Sequence, residues 1–139
     1  MSDPESFRSR SFRFAIDILK FYRQLERTRA VPIKVANQLL SAGTAIGANL
    51  AEARSAYSRR KLASKDAIAL KEARECRFWL RLVTADQPRF EHETAPLIDE
   101  CSQLIAMLTV SVRKLRGVTV AAEATVLALL CTLYFVLLN

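Results

Sequence analysis

The stretch from Leu40 to Glu52, LSAGTAIGANLAE, constrains the fold most strongly, because it predicts a helix made of residues that form poor helices in isolation. Gly43 and Gly47 would each cost about 1 kcal/mol relative to alanine inside a helix, so tertiary packing has to compensate. Glycines four residues apart share one face and leave a groove for the backbone of a second helix. We therefore predict close helix packing at Gly43 and Gly47. An apolar stripe at helical spacing lies beside them, formed by Val35, Leu39, Ala42, Ile46, Leu50 and Ala53.

The whole chain predicts a single all-α domain. Its 139 residues are 51% hydrophobic, which is enough to bury a core, and only three glycines and four prolines interrupt them. No Asn-Gly or Asp-Gly pair separates alternating apolar runs, so hairpins are not indicated. Four helices with short connections predict an antiparallel up-down-up-down four-helix bundle with an additional apolar C-terminal segment. We expect a disordered leader at 1–8, the bundle at 9–116 and an apolar tail at 117–139.

Proline, serine and glycine residues predict where the helices begin and end. Pro32 ends the first helix and starts the second, and Ser58 is placed to cap the third. Thr94 and Pro96 mark the start of the fourth helix, and Gly117 marks its end. The predicted helices span about 10–29, 33–56, 59–84 and 94–116, with a loop at 86–93.

Asp66 interrupts the apolar stripe of the third helix. A carboxylate in that position needs a partner such as an arginine or an amide, unless the stripe meets water there.

The first helix carries apolar residues on two sides, whereas a helix on the surface of a monomer needs only one. The second side therefore contacts either another layer of the bundle or a neighbouring subunit, and in a domain this small we favour the subunit. One set consists of Phe12, Ile16, Leu19 and Tyr22, and the other of Phe14, Ile18, Phe21 and Leu25.

Basic residues outnumber acidic ones by 21 to 14, and the resulting charge of +7 favours an anionic partner. Five arginines of the third helix fall within about a third of its circumference. A second basic set lies on the first helix. Both sets are our candidate nucleic-acid contacts, although each is equally typical of a solvated helix face. Glu72 and Glu75 are placed to pair with some of the arginines. The first set is Arg59, Arg60, Arg74, Arg77 and Arg81, and the second, on the first helix, is Arg13, Lys20 and Arg27.

No residue pattern indicates catalysis. Cys76, Cys101 and Cys131 are widely spaced and the chain has a single histidine, so the cysteines are predicted to be buried structural thiols. Glu72 and Glu75 share a helix face, but without a Glu-x-x-His motif the di-metal site of helical bundles is absent. We predict no enzyme activity, no cofactor and no metal. The polar, charged first residues lack the pattern of a signal peptide, and we expect a cytoplasmic protein.

The segment 118–138 has a different character, since Glu123 is its single charged residue. The uncharged part, 124–138, would be about 22 Å long as a helix, against about 30 Å of bilayer hydrocarbon. The sequence leaves two readings open: a membrane anchor, or a fifth helix packed within an oligomer. The basic residues that would precede an anchor are Arg113, Lys114 and Arg116.

Three blocks of sequence carry a resemblance to a known family: RSFRFAIDILKFYR at 10–23, SAGTAIGANLAEA at 41–53 and ALKEARECRFWLRL at 69–82. Together they resemble the four-helix bundle family that includes the protein encoded by intervening sequences within bacterial 23S ribosomal RNA genes. The resemblance spans about 8–116 and implies an antiparallel bundle assembled as a ring-like homopentamer. A relative, the accessory variability determinant of diversity-generating retroelements, is basic and binds nucleic acid and a reverse transcriptase. Asp66 and the tail depart from the family pattern.

Charge, arginine clustering and resemblance together favour an oligomeric accessory factor that binds RNA or other nucleic acid. Without an aromatic pair of the RNP type, its contacts should be mostly with phosphate. A reverse transcriptase is a partner only by analogy with the relative. The alternative function is a membrane-attached or purely structural assembly scaffold that acts through residues 118–138, with the basic charge facing anionic lipid.

Overall fold

The computed structural model describes the backbone of residues 7–138 and their side chains except those of 118–123 and 131–138. Residues 1–6 of the predicted leader lie outside the described residues, and Phe7 and Arg8 already belong to the first helix. The described part contains no strand, which confirms the all-α prediction. Its elements are α1 (Phe7–Thr28), α2 (Ile33–Ala53), α3 (Arg59–Asp86), a single 3-10 turn (Pro88–Phe90) and α4 (Glu91–Leu138).

Contacts between the helices establish the antiparallel order. The Arg10 guanidinium donates to Glu100 of α4, with nitrogen to oxygen distances of 2.8 and 3.0 Å. Further along α1, Gln24 donates to Glu93, which lies earlier in α4. The chain therefore runs in opposite directions in α1 and α4. Because α1 also packs on α2, α2 on α3 and α3 on α4, the four helices form an up-down-up-down bundle.

One of the two apolar sets of α1 lies in the core. Phe12 and Ile16, from the other set, are 66% and 39% exposed, so no layer within the described residues covers them, whereas Leu19 and Tyr22 of the same set are half-buried. The core set is fully buried and consists of Phe14, Ile18, Phe21 and Leu25.

The two glycines of α2 lie against α1. A Cβ atom at Gly43 would be 2.8 Å from Cγ2 of Ile18, which is fully buried. At Gly47, a Cβ atom would lie 3.4 Å from the carbonyl oxygen of Ser11, an ordinary contact distance. The approach of the two helices is therefore tightest at Gly43.

The predicted end of the fourth helix at Gly117 is wrong, because α4 continues without a break to Leu138. A glycine that ends a helix usually adopts a positive φ, whereas Gly117, like every glycine that the structure describes, has a negative one. A single glycine costs about 1 kcal/mol inside a helix, which long flanking runs of helix-forming residues can offset. The apolar tail is thus an extension of α4 rather than a separate fifth helix, and we call residues 118–138 the α4 extension.

The predicted loop at 86–93 and the helix start at Thr94 are also wrong. The 3-10 turn fills part of this region, and α4 begins at Glu91, so that Pro96 is its sixth residue. Thr94 is fully buried, donates to the carbonyl oxygen of Phe90 and accepts a 2.7 Å hydrogen bond from the Thr84 hydroxyl. Its hydroxyl thus joins α4 to α3 instead of capping a helix.

Ser58 caps α3 as predicted, since its hydroxyl accepts a hydrogen bond from the Lys61 backbone nitrogen at 3.1 Å. The partner of Asp66 is neither an arginine nor an amide. Asp66 is 5% exposed and accepts a 2.5 Å hydrogen bond from the Ser111 hydroxyl on α4. A buried carboxylate therefore links α3 to α4.

Replacing Ser111 with alanine should lower the free energy of unfolding by about 1 to 3 kcal/mol, because the buried Asp66 carboxylate loses a donor. Urea unfolding followed by circular dichroism measures the difference. Ser41→Ala, at an exposed position of α2, is the control and should change stability by less than about 0.5 kcal/mol. Equal stability of the Ser111→Ala variant and the wild type would show that water satisfies Asp66.

By length and composition, one described segment, Pro88–Gly117, qualifies as a candidate membrane span, with a mean hydropathy of 1.2. Cys101, Leu104 and Leu108 of this segment are fully buried in the bundle core. A core helix of a soluble domain passes the same test, so this finding is weak support for a span.

Candidate nucleic-acid interface

Three arginines of α3 form one continuous surface on the side of the helix that faces away from the core. Arg74, Arg77 and Arg81 recur at intervals of three and four residues, which places them on one stripe. Together with Phe78 and Leu82 they line a surface groove of 450 Å³. Arg74 and Arg81 are exposed, while Arg77 is half-buried and donates to the Ser102 hydroxyl of α4 at 3.5 Å. We call these three residues the α3 arginine surface.

The charge of the α3 arginine surface is not neutralised by neighbouring carboxylates. Within the described part of the chain, none of its guanidinium nitrogens lies within 4 Å of a carboxylate oxygen. Glu75 instead accepts a 3.3 Å hydrogen bond from the indole nitrogen of Trp79. The predicted ion pairs between these arginines and Glu72 or Glu75 are therefore not formed in the described part of the chain.

Arg59 and Arg60 lie at the other end of the same helix. Both are exposed in its first turn, about 22 Å along the axis from Arg74. This turn contains no acidic residue, although the helix dipole favours negative charge there. Positive charge consequently extends along α3, but the five arginines do not form one compact cluster.

The basic residues of α1 form a separate surface. Arg13, Lys20 and Arg27 are exposed, but among the described residues no Cα atom of α1 lies within 8 Å of a Cα atom of α3. Arg13 and Lys20 line a groove of 610 Å³ between α1 and α4.

Carboxylates oppose the positive charge in the groove between α1 and α4. Lys20 pairs with Asp17 at 3.3 Å, and Glu93 and Glu100 also line the groove. Of the two predicted basic sets, the α3 arginine surface therefore presents the stronger positive field.

Phe78 belongs to the same groove, and the sequence analysis missed it. Its side chain is 57% exposed, and its ring contacts Trp79 at a centroid distance of 5.1 Å in a T-shaped arrangement. The signal in the sequence is an aromatic residue with arginines one position before it and three after it, in the run RFWLR. This spacing places a ring between guanidinium groups on one helix face.

The described cysteines are core residues. Cys76 and Cys101 are both 0% exposed, and the Cys101 thiol donates to the carbonyl oxygen of Ala73 at 3.1 Å. A hydrogen bond with Cys101, together with burial, raises the pKa of the Cys76 thiol well above its usual value. Cys76 therefore stays protonated near neutral pH, which does not suit a nucleophile. The Cys131 side chain lies outside the described residues, within which no group of histidine, cysteine and acidic side chains is suited to hold a metal.

Comparison with known proteins gives two findings. A family model described as 23S rRNA-intervening sequence protein matches residues 6–110. The chain is also similar to the crystal structure of a protein of unknown function from the S23 ribosomal protein family of Bacteroides thetaiotaomicron VPI-5482. Sequence identity is 29%, the TM-score is 0.72, and the match covers 77% of this chain and 98% of the other. No curated protein matches.

Proposed function

The chain belongs to the 23S rRNA-intervening sequence protein family, and from that premise we propose that it is a non-enzymatic, oligomeric protein that binds RNA or other nucleic acid as an accessory factor. The observation that carries this proposal is the α3 arginine surface, whose three guanidinium groups lie in one groove without a carboxylate partner among the described residues. Guanidinium groups bind phosphate through paired hydrogen bonds, and phosphate contacts dominate the affinity of proteins for nucleic acid.

The exposed apolar side of α1 supports the oligomeric part of the proposal. Phe12 and Ile16 are exposed on α1, and α2, which packs on α1, carries the small, exposed residues Ala48 and Ala51. Apolar side chains beside small ones allow close contact with a second copy of the chain. A ring of five subunits, as the family resemblance implies, would repeat the α3 arginine surface, and weak contacts on each subunit would add up through avidity.

A triple variant with Arg74→Gln, Arg77→Gln and Arg81→Gln should bind RNA of unrelated sequences more weakly than the wild type. If each arginine neutralises one phosphate, the slope of log affinity against log salt should flatten by about 2 to 3 for every subunit that contacts the RNA, at about 0.7 to 0.9 for each lost contact. Fluorescence anisotropy of labelled RNA at several salt concentrations measures both quantities.

A variant that removes the same charge from α1, with Arg13→Gln, Lys20→Gln and Arg27→Gln, is the matched control and should have the smaller effect. Both variants change exposed or half-buried side chains and should keep the wild-type circular dichroism spectrum. An α3 triple variant that folds and retains the original affinity and salt slope would overturn the assignment of nucleic-acid binding to this surface.

Membrane attachment is the second candidate function, and the α4 extension favours it. All seven residues from 124 to 130 are exposed, and they cover nearly two turns of the helix. Residues 118–138 continue as a helix over about 31 Å, of which the uncharged part, 124–138, covers about 22 Å, against about 30 Å of bilayer hydrocarbon. Apart from Thr125, the residues from 124 to 130 are apolar around the helix, which suits lipid better than contact with one partner helix, for which a single apolar stripe is enough. Among residues 124–130, the large apolar side chains are Val126, Leu127, Leu129 and Leu130, which are 56 to 64% exposed.

A further inference from the structure

An exposed aromatic ring lies in the middle of the α3 arginine surface. Phe78 lies four positions after Arg74, one position after Arg77 and three positions before Arg81. All four residues line the same groove. Phenylalanine has no polar atom to interact with water, so a ligand that covers the exposed 57% of its side chain would gain free energy from burying it. The groove therefore offers both positive charge and an apolar ring face.

Trp79 holds the Phe78 ring while leaving it accessible. The two rings meet at an interplanar angle of 75°, and in such a T-shaped pair the edge of one ring meets the face of the other. At most one face of Phe78 is therefore covered by the indole. Trp79 is itself restrained, because it packs against the core and its indole nitrogen donates to Glu75.

We propose that Phe78 is a stacking platform for an unpaired base, so that the groove binds single-stranded nucleic acid in preference to a duplex. The proposal rests on the nucleic-acid binding proposed above and adds the class of ligand. In a duplex the faces of the bases are stacked on one another, and only an unpaired base can place its face on a protein ring. Arg74, Arg77 and Arg81 would contact the phosphates on either side of that base.

The arginines also explain why nucleic acid suits this groove better than a second copy of the chain. Phe78 and Leu82 alone would be typical of a contact between subunits. However, a protein partner that brought no carboxylates of its own would have to bury three guanidinium groups without an ion-pair partner in the described part of the chain, and burying unpaired charge is strongly unfavourable. A phosphate backbone supplies the negative charge that the groove lacks.

The test compares Phe78→Leu, which removes the ring and keeps an apolar side chain, with Phe78→Tyr, which keeps the ring. Binding of full-length protein to an unstructured oligouridine and to an RNA duplex is measured by anisotropy. We expect the leucine variant to lose about 5- to 150-fold in affinity for oligouridine, equivalent to about 1 to 3 kcal/mol for one stacked base. Its salt slope should equal that of the wild type, because stacking displaces no counterions. Binding of the duplex should hardly change, and the tyrosine variant should behave as the wild type.

Trp79 provides a second, local measurement, since it is the one tryptophan in the chain and its ring contacts Phe78. Oligouridine bound in the groove should change its fluorescence, whereas a ligand bound at the basic residues of α1 should not.

The outcomes separate the two proposals. If the wild type binds neither RNA, the proposed function fails and the stacking proposal fails with it. If the wild type binds oligouridine but Phe78→Leu binds it equally well, or Trp79 fluorescence does not change, the stacking proposal alone is overturned. A change of oligomer mass in Phe78→Leu, measured by light scattering, would assign Phe78 to a contact between subunits and would also overturn it.

Discussion

Gly43→Leu is expected to lower the melting temperature of the protein by roughly 4 to 12 °C, or to prevent folding altogether. Even a Cβ atom at this position would lie 2.8 Å from Cγ2 and 2.9 Å from Cγ1 of Ile18, and a leucine adds three further carbons. Ile18 is fully buried and β-branched, so its side chain has no alternative rotamer with space around it. Overpacking costs about 1 to 3 kcal/mol or more, and each kcal/mol lowers the melting temperature of a domain of this size by about 4 °C or more.

Gly47→Ala is the matched control for Gly43→Leu, and Gly43→Ala makes the comparison direct. Alanine improves helix propensity by about 1 kcal/mol at either position. At Gly47 the added Cβ would lie 3.4 Å from the Ser11 carbonyl oxygen, so we expect equal or higher stability there. At Gly43 the clash with Ile18 should outweigh the gain. Thermal unfolding followed by circular dichroism measures all three variants, and equal melting of Gly43→Leu and the wild type would contradict the tight contact between α1 and α2.

Removing residues 118–139 is expected to move the protein from the membrane to the aqueous phase without unfolding the bundle. The buried core residues identified in the described part of the chain all precede the α4 extension, so the truncated chain should keep its melting temperature. Flotation with vesicles that contain anionic lipid measures membrane binding. Anionic lipid is chosen because the basic residues next to the extension should add to the affinity. These residues are Arg113, Lys114 and Arg116.

A variant of full length with Leu127→Arg and Leu130→Arg sharpens this test. Each charge placed near the middle of a membrane span costs about 2.5 to 3.5 kcal/mol on the insertion scale, so the pair should abolish flotation while the bundle stays folded. If instead the full-length wild type stays in the aqueous phase without detergent, and truncation reduces oligomer mass, the α4 extension is a packed arm and the membrane proposal is wrong.

The sequence was sufficient to predict the fold class but not the choice between the two apolar sides of α1. Both sets have the same helical spacing, and periodicity alone assigns neither to the core. The choice depends on a tertiary contact, since Ile18 occupies the space that Gly43 leaves open on α2. This contact places the apolar set that contains Ile18 in the core.

The errors in the sequence analysis have identifiable physical causes. Gly117 was interpreted as a helix stop, but it lacks the positive φ that a helix-ending glycine usually adopts, and α4 continues through it and through the β-branched Val118, Thr119 and Val120. Phe78 was not considered as a binding residue, because the sequence alone does not show that its side chain is exposed. Its exposure depends on where the core side of α3 lies, which only the packing of α2 and α4 determines.

Because α4 is unbroken, it fixes the distance between the two proposed binding regions, the α3 arginine surface and the α4 extension. Ser102, which contacts Arg77, precedes the start of the α4 extension by 16 residues, or about 24 Å along a straight helix. At physiological ionic strength the Debye length is about 8 Å, so charges separated by this distance hardly influence each other through water. With the α4 extension in a membrane, the straight helix α4 would hold the α3 arginine surface away from the lipid headgroups. Anchoring and nucleic-acid binding could then proceed at the same time, without competing for the same positive charge.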